Sequence, residues 1–127
     1  MKTILIILIA ALFVQQNPGG SVTFDKTVHD FGDISIKDGP VSCTFTMTNT
    51  GADTVAIFSV FTSCGCTSVD WTKEKIAPGA TGKISVTYTN DEGPQAFDKD
   101  VKAYITGVRR PVVLHMRGVV HNKTIKK

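Results

Sequence analysis

Apolar and polar residues alternate with a period of two through most of the chain beyond residue 20. Val41, Cys43, Phe45 and Met47 share one phase, and Ser42, Thr44, Thr46 and Thr48 share the other. Ile84, Val86 and Tyr88 alternate with Lys83, Ser85, Thr87 and Thr89. Val101, Ala103 and Ile105 alternate with Asp100, Lys102 and Thr106, and Val112, Leu114 and Met116 with His115 and Arg117. Side chains of a strand point alternately to its two faces, so each run predicts a strand with one buried and one wet face. Further runs cover residues 22–26, 28–34 and 55–61, with a short piece at 69–71, and the eight runs are read as about seven strands. Turn signals separate them: Asp38-Gly39-Pro40, Asn49-Thr50-Gly51, Ala77-Pro78-Gly79, residues 90–94 and residues 107–111. Each strand buries only one face and needs a second sheet to cover it. The pattern therefore predicts an all-β fold, an Ig-like β-sandwich of about seven antiparallel strands. The immunoglobulin pair of distant cysteines around a core tryptophan is missing, because Trp71 follows the cysteine cluster.

Residues 1–14 break the alternation. Twelve of them are apolar and Lys2 carries the only charge. The apolar run from Ile4 to Val14 falls short of the roughly 20 residues of a membrane span and within the roughly 7–15 of a signal-peptide core. Residues 1–20 are thus expected to be a signal peptide with a short linker, residues 21–121 the sandwich domain, and residues 122–127 a basic tail. The mature chain is expected to be secreted or periplasmic, with no transmembrane span.

Composition supports a folded β domain. The chain is 42% hydrophobic and 20% charged, which excludes a disordered tail or a multi-pass membrane protein. Fifteen threonines and thirteen valines follow residue 14, a β-favouring choice. A net charge of +3 is too mild to argue for a nucleic-acid partner. No Ser-His-Asp order, paired catalytic carboxylates or glycine-rich phosphate loop is visible, so the expectation is a protein that is not an enzyme. A binding or scaffold module of the cell envelope, with a protein or glycan partner, fits best. Arg109-Arg110 is a candidate contact point at a hairpin tip. Asp30, Asp33 and Asp38 lack the spacing of a calcium loop, and His29, His115 and His121 are scattered. Asn122-Lys123-Thr124 matches an N-glycosylation acceptor.

The sharpest local signal is Ser63-Cys64-Gly65-Cys66-Thr67. Two such thiols can pair, bind a soft metal or pack as small apolar groups. In an extended strand their Cα atoms would lie roughly 6.5 Å apart, near the upper edge of disulfide reach, and Gly65 lets the chain bend. Cys43 stands on the inward phase of its own run and is a third candidate. One disulfide among Cys43, Cys64 and Cys66 leaves one thiol over, and a pairing through Cys43 would close a loop of about 20 residues, worth about 3 kcal/mol. Three converging thiols would suit Cu(I) or Zn, so Cys43, Cys64 and Cys66 are also the candidate metal ligands. A thiol-based metal or redox function is the alternative to the binding module.

Several elements occur in a fixed order: Phe24-Asp25, His29-Asp30-Phe31-Gly32-Asp33-Ile34, Phe45-Thr46-Met47-Thr48-Asn49-Thr50-Gly51, Ser63-Cys64-Gly65-Cys66-Thr67 and Ile76-Ala77-Pro78-Gly79. Together they resemble the bacterial exported domain of unknown function 1573, over roughly residues 22–120, with a more distant similarity to Hydin-type modules. The resemblance implies an Ig-like sandwich and an address outside the cytosol; it supplies no activity, because the family has no established one. Family members often carry histidine where this chain has Cys43. A thiol there would soften a metal site, or would cost little at a position that is only buried.

Overall fold

The computed structural model describes residues 21–125; the expected signal peptide, residues 1–20, and the last two residues of the expected tail lie outside them. The runs read from the sequence become eight strands: β1 (Val22–Phe24), β2 (Val28–Ser35), β3 (Val41–Asn49), β4 (Ile57–Phe61), β5 (Thr67–Trp71), β6 (Thr81–Tyr88), β7 (Ala96–Ile105) and β8 (Val112–His121). They form two four-stranded sheets, ordered β1-β3-β6-β5 and β2-β8-β7-β4. Five of the six pairings are antiparallel, whereas β2 runs parallel to β8. No hairpin joins β2 to β8, so the long chain between them leaves their relative direction to the packing of the sheets.

The inward phases meet as the alternation predicts. Phe45, Met47, Ile84, Val86 and Tyr88 from one sheet face Val101, Ala103, Ile105, Leu114 and Met116 from the other, all buried. Tyr88 and Phe97 stack across the gap with ring centroids 4.1 Å apart. Along one edge, Trp71 of β5 donates its Nε1–H to the Ile57 carbonyl of β4 (3.1 Å), and Lys73 covers the indole ring at 4.0 Å. Two inward positions are glycine because a neighbour fills their place. A Cβ on Gly82 would come within 2.5 Å of Ile76 Cδ1. One on Gly118 would meet the Phe97 ring at 3.0 Å and the Gly32 carbonyl at 3.1 Å, where β2 bulges between Asp30 and Asp33.

Short polar side chains close the ends. Asp25 accepts from the Thr46 N–H through its carboxylate (2.9 Å) and so pins the end of β1 to β3. Asn49 is fully buried. Its Nδ2 donates to the carbonyls of Asp53 (2.8 Å) and Ile76 (2.9 Å), and its Oδ1 accepts from the Gly51 N–H (3.0 Å). Asn90, at φ 58°, donates to the carbonyls of Ser35 and Gly39, both at 2.9 Å. The Ile76 carbonyl also accepts from the Val55 N–H (3.0 Å), so Asn49 contributes through its own three hydrogen bonds, each worth about 1 kcal/mol net. Asn49→Ala is therefore expected to cost about 3 kcal/mol and lower the melting midpoint by roughly 10–20 °C. Thr44→Ala, on the wet face of β3, should stay within about 0.5 kcal/mol; calorimetry on the two variants checks the contrast.

Candidate functional site

Strand β4 ends at Phe61, and residues 62–66 lead into β5. The Thr67 N–H donates to the Cys64 carbonyl (3.2 Å), folding Cys64 to Thr67 into a four-residue turn with Gly65 and Cys66 at its centre. The turn draws the Cα atoms of Cys64 and Cys66 to 5.1 Å, and the two residues form a disulfide. The Thr89 N–H donates to the Cys66 carbonyl (2.8 Å), which fastens the loop to the end of β6. Both cysteines are partly buried.

The chain leaving β6 brings Glu92 to the same place. One carboxylate oxygen of Glu92 and the sulfurs of Cys64 and Cys66 lie within 4.8 Å of one another. The Tyr88 hydroxyl donates to Glu92 Oε1 (2.6 Å), and Lys99 Nζ stands 3.1 Å from that oxygen. The tyrosine hydrogen bond, then the lysine, holds the Glu92 carboxyl below the usual carboxylate range. Burial and the adjacent carboxylate push the Tyr88 hydroxyl up, so it stays a donor. The sulfurs are not equivalent. The Cys66 N–H donates to Cys64 Sγ (3.1 Å), while Cys66 Sγ contacts Thr67 Oγ1 at 3.6 Å.

Cys43 is not brought to this group. It lies opposite Val86 of β6, which in turn lies opposite Val69 of β5, three residues beyond Cys66. Two strand spacings of about 4.8 Å and three rises of about 3.3 Å separate its Cα from that of Cys66 by roughly 14 Å. A disulfide spans at most about 7 Å. Cys43 is free and buried in the core, and burial raises its thiol from 9.0 to about 11. The histidines also stay apart from the cysteines. His29 packs on Phe31 with centroids 4.5 Å apart, His115 stands 3.4 Å from Asp98, and His121 stands 2.9 Å from Asp33. Asp30 faces Arg117, and Asp38 caps a short 3-10 turn. Arg109 and Arg110 are exposed in the β7–β8 turn, as expected.

A second feature adjoins the disulfide. Phe58 and Phe61 project from β4 at 61% and 57% exposure, and Tyr104 of β7 lies beside Phe58 with ring centroids 6.1 Å apart. Phe61, Ser63, Asp100 and Lys102 line a hollow of about 80 Å³ next to the cysteine loop. Sequence reasoning missed Glu92, Lys99 and this aromatic face. Lys99 had a legible signal, a charge on the apolar phase of β7 between Phe97 and Val101. Glu92 had none, since only the fold carries its loop to the cysteines.

A family model described as "Protein of unknown function (DUF1573)" matches residues 22–120. No curated protein sequence matches the chain. Among solved structures, a protein of unknown function from Porphyromonas gingivalis W83 superposes with a TM-score of 0.67 at 18% identity, over 79% of this chain and 46% of that one. The VesB protease of Vibrio cholerae gives 0.64 at 18% identity, over 85% and 34%. The ASH / PapD-like domain 7 of human CEP192 gives 0.56 at 9% identity, over 87% and 91%. The chain thus spans less than half the length of the first two. At these identities the likeness is one of fold.

The geometry orders the three thiols by access. Alkylation of the native protein at pH 8 should add no label, mild reduction should open two sites, and denaturation with reductant should open three. A folded thiol held protonated stabilises the protein fully below pH 9, and that contribution is lost as pH rises through about 11. Cys43→Ala should therefore flatten the fall in stability between pH 9 and 11, read by denaturant titration at each pH.

Proposed function

The chain belongs to the DUF1573 family of proteins of unknown function, and on that premise we propose that it is a non-catalytic binding module of the cell envelope, exported by residues 1–20, whose partner is a protein. The observation that supports this reading is the pair of exposed phenylalanines, Phe58 and Phe61, beside Tyr104. A sheet whose inner face is already filled has no folding reason to place two phenylalanines on its outer face. Large aromatics left in water lower solubility and supply the contact area that protein interfaces use as anchors. Among the described residues strand β4 is also an edge strand, flanked in its sheet by β7, so beyond Ile57, whose carbonyl is taken by Trp71, an extended partner segment has backbone groups to pair with as well as rings to cover.

Covering one such ring is worth about 1.5–3 kcal/mol, or roughly 10- to 150-fold in affinity. A photo-cross-linking residue placed at position 61 is expected to give one discrete protease-sensitive adduct in envelope extract, and the same residue at position 44 none. Unlabelled domain should compete the adduct away, and the Phe58→Ser/Phe61→Ser domain should compete at least tenfold more weakly. An adduct that resists protease and yields to glycosidase would replace the protein partner by a glycan; equal competition by the double variant would remove the aromatic face from the reading.

A further inference from the structure

We propose that the Cys64–Cys66 disulfide exchanges two electrons with protein dithiols, with the Cys64 sulfur as the point of attack and release. This goes beyond partner binding, and only its choice of a polypeptide substrate rests on the aromatic face proposed above. The bond does little for the fold. It closes a loop of only three residues, so it removes little freedom from the unfolded chain. Strand β5 is already tied to β6 through five residue pairs and to β4 through Trp71. Its place is also unlike that of a buried staple, because the loop lies beside the exposed end of β4.

The two sulfurs have different surroundings, which gives exchange a direction. A backbone N–H points at Cys64 Sγ from 3.1 Å, an arrangement that stabilises negative charge on that sulfur. Cys66 Sγ meets the Thr67 hydroxyl at 3.6 Å. A partner thiolate attacks Cys64 Sγ; the Cys64–Cys66 bond breaks, its electron pair stays on Cys66, and Cys66 takes up one proton. The second thiol of the partner then loses its proton and attacks the partner's own sulfur in the mixed disulfide. Cys64 leaves as a thiolate held by the Cys66 N–H and is protonated in turn. The partner dithiol is oxidised to a disulfide, and the Cys64–Cys66 pair is reduced to two thiols. Glu92 acts as a positioning charge: its carboxylate, held by Tyr88 and Lys99, disfavours thiolates on both sulfurs and so keeps the pair in the oxidised form.

The experiment uses the mature chain in glutathione buffers of graded ratio, read by alkylation and mass spectrometry. Exchange predicts that the pair passes from oxidised to reduced within a physiological range of ratios; a disulfide that persists through a hundredfold excess of the reduced form overturns the proposal. Glu92→Gln should shift the midpoint at least threefold toward reduction at pH 8, and an unmoved midpoint removes the role of Glu92. A single-thiol peptide activated as a mixed disulfide should be captured by the reduced Cys66→Ser chain at position 64, and at least tenfold more slowly by reduced Cys64→Ser. Equal capture overturns the direction assigned to the pair. Phe58→Ser/Phe61→Ser should slow capture of the peptide while leaving glutathione exchange intact, which separates failure of the docking face from failure of the disulfide. Reduced wild-type chain that binds zinc one to one and exchanges with neither probe would overturn exchange in favour of metal binding.

Discussion

The face-to-face burial of two sheets is the interaction on which the rest of this molecule depends. Neither sheet covers its own apolar side, and the inward residues of β3 and β6 are buried in one core with those of β7 and β8. Removing that surface from water supplies the main drive to fold. It also explains exceptions to the alternation. Gly82 and Gly118 occupy inward positions because Ile76 and Phe97 have taken the space their side chains would need. Close packing is a property of the pair of sheets, and each strand yields to it.

Where the two sheets end, the interior meets water, and there polar side chains replace apolar ones. Asn49 and Asn90 donate to carbonyls of strand ends and connecting segments. At the end nearest β6 and β7, Tyr88 extends its hydroxyl out of the core to Glu92, and Lys99 completes the group. The cysteine loop rests against this polar rim. The rim thereby couples the core to the candidate site, since Tyr88 stacks on Phe97 with its ring and orders Glu92 with its oxygen. A carboxylate in that position receives its charge environment from Tyr88 and Lys99 of the sandwich.

The placement of the three cysteines illustrates how far a sequence pattern carries. The inward phase of Cys43 was legible, and the structure buries it in the core. Its distance from Cys64 and Cys66 was not, because two cysteines on inward phases need not share a stretch of interior. Strand order decides that, and here β6 intervenes. The exposed rings of Phe58 and Phe61 escaped notice for a related reason. Residues 55–61 read as one apolar run, and the break in register between Ile57 and Ser59 determines which side chains turn outward.

The amino-acid sequence alone determined the all-β class, most strand positions and the division of each strand into a wet and a buried face. These follow from the period-two geometry of the extended chain, which is local. Only the tertiary structure decided the parallel pairing of β2 with β8, the separation of Cys43 from the disulfide and the arrival of Glu92, Tyr88 and Lys99 beside it. Those depend on which strands become neighbours, and that choice is made by the fit of two whole sheets, which no short window of sequence contains.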